Sequence, residues 1–121
     1  MIILCIDDEP NALTARQMLL SKAGYQVLTA TTSESAMQVF TSEHVDLVII
    51  DYLLPDRSGG ETASEMKRLK PEIPVIVYTG LAELPADAKD ADLVLSKGLT
   101  PPEFLAAIAS LVAKSRAAGQ S

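Results

Sequence analysis

The sequence contains no tryptophan, a single cysteine and few aromatic residues of any kind. Phe, Tyr and Trp together make up 4% of the chain and hydrophobic residues 48%, so an ordered core has to be built mainly from aliphatic side chains. The single cysteine, Cys5, excludes an internal disulfide bond, and its position inside an apolar run favours a buried thiol without a chemical role. At 121 residues the chain is long enough for one domain with its own core.

An excess of positive charge is also missing, because the formal net charge is −6 at pH 7. An acidic chain without a basic run repels nucleic-acid phosphates and anionic membrane surfaces, so neither is expected as a direct partner. No stretch approaches the ~20 apolar residues that a membrane-spanning helix needs, and the first residues lack the basic segment of a signal peptide. Together these absences predict a cytoplasmic protein.

Short apolar runs alternate with segments of helical periodicity, a pattern typical of β-α-β folds. The predicted strands are residues 2–6, 26–30, 45–51, 75–79 and 93–96, and the predicted helices are residues 10–23, 31–43, 61–70 and 103–114. Residues 80–92 include Pro85 and few apolar side chains, which indicates at most a short or irregular helix. We expect one domain over residues 1–121, in which residues 115–121 form a polar, frayed tail.

The predicted strands are short, apolar and flanked by helices, so both faces of a parallel sheet should be covered. Because crossover connections between parallel strands are right-handed, this pattern predicts an α/β fold with a doubly wound, five-stranded parallel sheet.

Acidic, hydroxyl and basic side chains stand at the ends of four of these strands. Asp7 and Asp8 follow the first strand and Asp51 ends the third, while Thr79 and Lys97 stand at the ends of the fourth and fifth. The carboxyl ends of parallel strands form one rim where ligands bind, so these side chains are expected to meet. Carboxylates 4 Å apart repel by roughly 4 kcal/mol, which calls for a cation, and Mg²⁺ suits such oxygen ligands. Capping of the following helix would explain one acid, but not three acids and a lysine.

An aspartate at such a rim can also act as a nucleophile, because carboxylates form acyl phosphates. Phosphoryl transfer mainly requires that groups are positioned and that charge is neutralised. Mg²⁺ and the Lys97 ammonium would supply positive charge, and the Thr79 hydroxyl could donate a hydrogen bond to a phosphoryl oxygen. A nucleotide-binding protein is disfavoured, since no glycine-rich phosphate loop follows the first strand.

With these motifs in order, the sequence resembles the receiver domain of bacterial two-component response regulators over essentially its whole length. The motifs are Asp7-Asp8-Glu9-Pro10, the run DYLLPDRSG that begins at Asp51, Thr79 and Lys97. Each motif alone is unspecific, but all four at the ends of successive strand candidates are specific. The resemblance implies the flavodoxin-like strand order 2-1-3-4-5, with helices on both faces of the sheet.

The resemblance implies that Asp51 accepts a phosphoryl group from the phosphohistidine of a histidine kinase or of a histidine phosphotransfer protein. Lys97 would pair with Asp51 and then with the phosphate, and Thr79 would turn toward the phosphate as part of a switch. The protein would be a phosphoacceptor rather than a turnover enzyme, although it would assist its own phosphorylation. As a stand-alone receiver it would signal by contact with a downstream protein. Whether it forms a homodimer is left open.

The resemblance also implies the ligands of a magnesium ion at the rim. Asp8 and Asp51 would bind Mg²⁺ directly and Asp7 would bind it through a water molecule. The backbone carbonyl of Leu53 would complete the protein ligands.

Three features depart from the usual pattern of the family. Val94 stands three residues before Lys97, where Tyr or Phe is usual, and Gly98 stands where proline is usual. The segment between Thr79 and Lys97 is several residues shorter than is typical. These departures leave open an alternative, a receiver-like interaction module that no longer switches on phosphorylation.

Two leucines bear on the lifetime of the phosphorylated state. Leu53 and Leu81 stand two residues after Asp51 and Thr79, positions that flank the path of the attacking water in relatives. Neither side chain can orient water by hydrogen bonding, so slow autodephosphorylation is expected. Leu53 also stands where an aspartate-nucleophile phosphohydrolase commonly has a second acid, which disfavours that class of enzyme.

Overall fold

Five parallel strands form one sheet in the computed structural model of the chain, which describes residues 1–80 and 86–119. The strands are β1 (Ile2–Ile6), β2 (Gln26–Ala30), β3 (Leu47–Asp51), β4 (Val75–Thr79) and β5 (Leu93–Ser96). The helices are α1 (Pro10–Lys22), α2 (Ser33–Ser42), α3 (Gly59–Leu69) and α4 (Pro101–Gly119). The strand order is β2-β1-β3-β4-β5 and each neighbouring pair is parallel, so the predicted doubly wound α/β fold is confirmed.

Side chains along each strand alternate between the two faces of the sheet, and two helices cover each face. Ile3 and Cys5 pack in one core with α1 and α4, whereas Leu4 and Ile6 pack in a second core with α2 and α3. Each fully buried Leu or Ile side chain contributes about 1.5–3 kcal/mol, so the central strands carry much of the stability. Cys5 is buried as predicted, and this burial raises the pKa of its thiol to about 11.

The helix ends differ from the predictions by a few residues. Helix α3 begins at Gly59, two residues earlier than predicted, because the Ser58 hydroxyl caps it by accepting a hydrogen bond from Glu61 N at 3.0 Å. Helix α4 begins at Pro101, a residue type that suits the first turn, and it extends beyond the predicted end to Gly119. Within residues 1–80 and 86–119, no helix combines the length and the apolar character needed to cross a bilayer.

The described part of the connection between β4 and β5 contains a 3₁₀ turn, Ala86–Ala88, while residues 81–85 lie outside the described residues. Asp87 in this turn accepts hydrogen bonds from two hydroxyl groups of the β3–α3 loop, Tyr52 Oη at 2.7 Å and Ser58 Oγ. The turn lies so close to α3 that a β-carbon at Gly60 would be 2.6 Å from the carbonyl oxygen of Asp87. Asp87 therefore ties the loop after β3 to the connection after β4, and we call this the Asp87 contact.

Replacing Asp87 with alanine is expected to lower the free energy of unfolding by about 1 kcal/mol, because two hydrogen bonds at a partly exposed site are lost. The Ser58 and Tyr52 hydroxyls donate to the ionised carboxylate and hold the pKa of Asp87 below its ordinary value. The stabilisation is therefore present above the unfolded-state pKa and is lost as the pH falls through the lower folded-state pKa. Urea denaturation from neutral pH down to about pH 3 should show a difference from wild type that shrinks with acidity.

Asp90→Ala is the matched control, since it removes an exposed carboxylate from the same connection. This variant is expected to follow the wild-type protein at every pH. An Asp87→Ala difference that does not change with pH would contradict a contact to the ionised carboxylate.

The sheet brings the predicted rim residues to one edge. Ile6 of β1 is in register with Ile50 of β3, so Asp7 and Asp51 follow at neighbouring positions. Chain order reverses between these two strands, and ligands of doubly wound sheets bind in the crevice at such a point. Thr79 ends β4 on the other side of β3.

Candidate functional site

Asp51 is the last residue of the buried strand β3, and both of its carboxylate oxygens accept hydrogen bonds. Oδ2 accepts from Lys97 Nζ at 2.9 Å and Oδ1 accepts from the backbone N–H of Leu53 at 3.2 Å. Asp51 is only 4% exposed, and this burial raises the pKa of its carboxyl, although the hydrogen bond and the charge of Lys97 act in the opposite direction. The ammonium group is placed to neutralise negative charge that is added at this carboxylate.

Asp7, which follows β1, is buried and is likewise engaged at both oxygens. Oδ1 accepts a hydrogen bond from the backbone N–H of Glu9 at 2.9 Å, and Oδ2 accepts one from Arg16 Nη2 at 3.1 Å. Arg16 belongs to α1 and is itself buried. The charge of Asp7 is thus neutralised by a buried arginine of the same chain.

The carboxylates of Asp7, Asp8 and Asp51 form a cluster that can hold a metal ion. One oxygen from each residue lies within 4.8 Å of the other two, and Asp8 is exposed whereas the other two are buried. Hard carboxylate oxygens that open to solvent on one side fit Mg²⁺, which binds few protein ligands and keeps several waters. The coordination by the backbone carbonyl of Leu53 stays a prediction.

Thr79 and Lys97 stand at adjacent strand ends beside Asp51. Thr79 is 5% exposed, and its carbonyl oxygen accepts a hydrogen bond from the backbone N–H of Lys97 at 2.9 Å. This bond fixes the start of the loop that carries the lysine side chain. The structure therefore brings the Asp7, Asp8, Asp51 and Lys97 side chains together and places Thr79 at the adjacent strand end, although the roles of these residues stay predictions.

The structure shows the surroundings of the residues that depart from the family pattern. Val94 is half-buried and packs against the core on the α2 and α3 face, so it has no ring that could change between buried and exposed positions. Gly98 donates a hydrogen bond from its backbone N–H to Ser96 Oγ at 3.0 Å. Leu53 is 63% exposed at the rim, whereas Leu81 lies outside the described residues.

Arg16 and Asp87 belong to none of the four sequence motifs. A signal for Arg16 was present, because it lies three residues after Leu13 and four before Leu20, on the stripe of α1 that faces the sheet. A charged side chain on such a stripe needs a partner. Asp87 gave no comparable signal, since its two hydroxyl partners are distant in sequence and in an irregular part of the fold.

A comparison with known families identifies the chain. Residues 3–109 match the model of the response regulator receiver domain. The protein belongs to this family. The resemblance seen in the sequence motifs is therefore confirmed, and this receiver domain is a signalling module of two-component systems.

The receiver domain is similar to both curated and structurally solved proteins. It is 34% identical over 115 residues to the probable transcriptional regulator ycf27 of Cyanophora paradoxa, a match that covers 91% of this chain and 47% of the relative. It is 29% identical over 123 residues to the alkaline phosphatase synthesis transcriptional regulatory protein PhoP of Bacillus subtilis, which covers 98% of this chain and 51% of the relative. This receiver domain thus spans about half the length of these two relatives.

One of the similar solved structures contains Mg(2+)-BeF and is therefore relevant to the acidic rim. Response regulator protein TrrA from Thermotoga maritima, in complex with Mg(2+)-BeF, is 31% identical, with a TM-score of 0.86 over 91% of this receiver domain and 97% of that chain.

Proposed function

We propose that this receiver domain accepts a phosphoryl group on Asp51 and passes on a signal through contact with another protein. The observation that carries the proposal is the state of the Asp51 side chain, which is nearly buried, lies 2.9 Å from Lys97 Nζ and adjoins two further carboxylates. The donor would be the phosphohistidine of a histidine kinase or of a histidine phosphotransfer protein. A carboxylate oxygen attacks phosphorus, the P–N bond breaks, and the imidazole leaves with the electron pair and takes a proton from water.

The side chains around Asp51 have separate tasks in this transfer. Lys97 moves from the carboxylate to an oxygen of the transferred group and neutralises its charge. The Thr79 hydroxyl donates a hydrogen bond to a second oxygen and carries the change toward β4 and its connection. The backbone hydrogen bond from Lys97 N–H to the Thr79 carbonyl holds the two backbones in place while the side chains move.

Mg²⁺ is the cation that this proposal places at the rim. Asp8 and Asp51 would hold it directly, Asp7 through water, and the carbonyl of Leu53 would be the remaining protein ligand. When bound, it supplies positive charge against the phosphoryl oxygens. The separation of the carboxylate oxygens supports this assignment, and so does the Mg(2+)-BeF complex of the similar protein TrrA.

The alternative function is an interaction module that keeps the acids but does not switch, and Val94 is the observation that favours it. Incubation with acetyl phosphate and MgCl₂ separates the two functions. A phosphoacceptor gains the mass of one phosphoryl group and shows amide shift changes beyond the rim in NMR spectra. An unchanged mass, or shifts confined to the rim, would favour the module without a switch.

The output and the location are part of the same proposal. Both curated relatives are named as transcriptional regulators, so control of transcription is one form that the output can take. We place the protein in the cytoplasm, where its phosphohistidine donor would be found, and cell fractionation tests this. Sedimentation with and without beryllofluoride tests for a homodimer.

The Leu53→Asn variant is expected to lose its phosphoryl group faster than the wild-type protein. Leu53 is 63% exposed at the rim and cannot orient an attacking water, whereas an amide can. One orienting hydrogen bond of about 1.4 kcal/mol corresponds to a rate increase of about tenfold. The decay of the phosphorylated mass after removal of the donor measures the effect.

Leu53→Ala is the control, because it removes the bulk of the side chain without adding a hydrogen-bonding group. Equal decay in Leu53→Ala and Leu53→Asn would assign the effect to bulk alone. Wild-type decay in Leu53→Asn would refute the explanation.

A further inference from the structure

Arg16 is buried on the face of α1 that packs against the sheet, at a position where the helix pattern favours an apolar side chain. Its neighbours on that face, Leu13 and Leu20, are buried core residues, and Arg16 itself is 8% exposed. Nη2 donates to Asp7 Oδ2 at 3.1 Å, whereas the buried Nη1 has no hydrogen-bond partner among the described residues, although the guanidinium lies close enough to the Cys5 thiol to lower its pKa against the effect of burial. The guanidinium carbon lies 4.4 Å from the centre of the Tyr78 ring, a contact that offsets part of the lost hydration.

Stability alone does not account for an arginine at this position. A buried ion pair is on average no more stabilising than a pair of apolar side chains of similar volume, because the desolvation of both charges offsets their attraction. The unpartnered Nη1 adds a further cost. The charge of Arg16 therefore matters more for the acidic rim than for the core.

We propose that Arg16 is a positioning residue that sets the magnesium affinity of the rim by occupying Asp7. The inference rests on the proposed function, since it takes Mg²⁺ as the cation of the site. Arg16 holds Asp7 Oδ2 and the Glu9 backbone N–H holds Oδ1. Asp51 also accepts two hydrogen bonds, but its partner Lys97 is 38% exposed and can move aside for a metal ion, whereas Arg16 is 8% exposed and cannot. We therefore expect Asp7 to contact the ion through water.

Arg16 and Mg²⁺ act on the same negative charge. Arg16 and Lys97 leave the three rim carboxylates with one uncompensated negative charge, and without Arg16 there would be two. Lys97 is 38% exposed and can move, whereas Arg16 is fixed between Asp7 and Tyr78 and repels any divalent cation that enters. The protein is therefore folded without metal, and it loads Mg²⁺ only at a higher concentration than a rim without Arg16.

Titration of the metal-free protein with MgCl₂ alone tests the proposal, with the amide shifts of Asp8 and Leu53 in NMR spectra as the readout. Arg16→Met is expected to bind Mg²⁺ about tenfold more tightly, the effect of one unit charge on a divalent cation several ångströms away. Its melting temperature without metal should fall by roughly 10 °C, since Asp7 is then buried without a cation, and Mg²⁺ should restore part of this loss. Arg16→Lys keeps the charge and should bind Mg²⁺ as the wild-type protein does.

Arg68→Met is the matched control, because it removes the same charge from an exposed position near the end of α3. Arg16→Gln is a second neutral variant, which keeps an N–H donor for Asp7. A merely structural Arg16 would lower the melting temperature in these variants but leave the Kd for Mg²⁺ unchanged.

Two results would overturn the role of Arg16, and a third would overturn the proposed metal site. A wild-type Kd in a folded neutral variant overturns the role of Arg16. Neutral variants that stay unfolded at saturating Mg²⁺ overturn it too, because the metal should then neutralise Asp7. Absence of Mg²⁺ binding in the wild-type protein would instead overturn the proposed metal site itself.

Discussion

The Asp51→Asn variant is expected to keep its unmodified mass after incubation with acetyl phosphate and MgCl₂, whereas the wild-type protein gains one phosphoryl group. An amide has no anionic oxygen with which to attack phosphorus, so the loss should be complete rather than partial. Neighbouring acids should not replace Asp51. Asp7 is paired with the buried Arg16 and Asp8 is exposed, whereas Asp51 makes the 2.9 Å contact to Lys97.

Asp56→Asn serves as the control for this experiment, because it removes one negative charge from the same β3–α3 loop. The Asp56 carboxylate accepts hydrogen bonds from the backbone N–H groups of Ser33 and Glu34 and does not belong to the acidic cluster. This variant should be modified to the wild-type extent. Modification of Asp51→Asn at any other residue would refute the assignment of the phosphoacceptor.

The second large effect is expected from Gly59→Ala, which should lower the free energy of unfolding by about 2–3 kcal/mol. A β-carbon at Gly59 would lie 2.8 Å from Cα of Tyr52 and even closer to the carbonyl oxygen of Asp51. Alanine in a helix is normally favoured over glycine by about 1 kcal/mol, so the clash with rigid backbone has to exceed this gain. Urea denaturation measures the net loss.

Gly59→Ala should also slow the modification of Asp51, because the clash displaces the end of β3 on which the phosphoacceptor lies. Gly80→Ala is the matched control, since among the described residues its β-carbon would meet only Lys97 Cδ at 3.8 Å, an ordinary contact. Equal stability of the two variants would show that α3 can move away from β3 without cost.

Much of the fold could be predicted from the sequence because parallel strands that are buried on both faces are continuous apolar runs. The bounds of β1, β2, β4 and β5 agree with those runs, and only β3 begins two residues later than predicted, at Leu47. The ends of α3 and α4 were less predictable. A helix end depends on local caps such as Ser58 and on packing, which periodicity does not report.

The candidate site was predictable for a related reason. Asp51, Thr79 and Lys97 stand where buried strands stop, and strand ends of a parallel sheet share one edge whatever the loops do. Asp87 was not predictable, because its contact with Tyr52 and Ser58 joins two irregular segments that only the folded chain brings together.

The sequence by itself determined the order of the strands, the edge at which the acids collect and the family to which the chain belongs. The alternation of strands and helices follows from hydrophobic periodicity, and the family follows from short motifs and implies the strand order; these are local properties of the sequence. Only the tertiary structure decided that Arg16 is buried against Asp7, where it acts as a fixed counter-charge. The charge and hydrogen bonding of a side chain depend on which distant atoms surround it, and those are set when the helices close over the sheet.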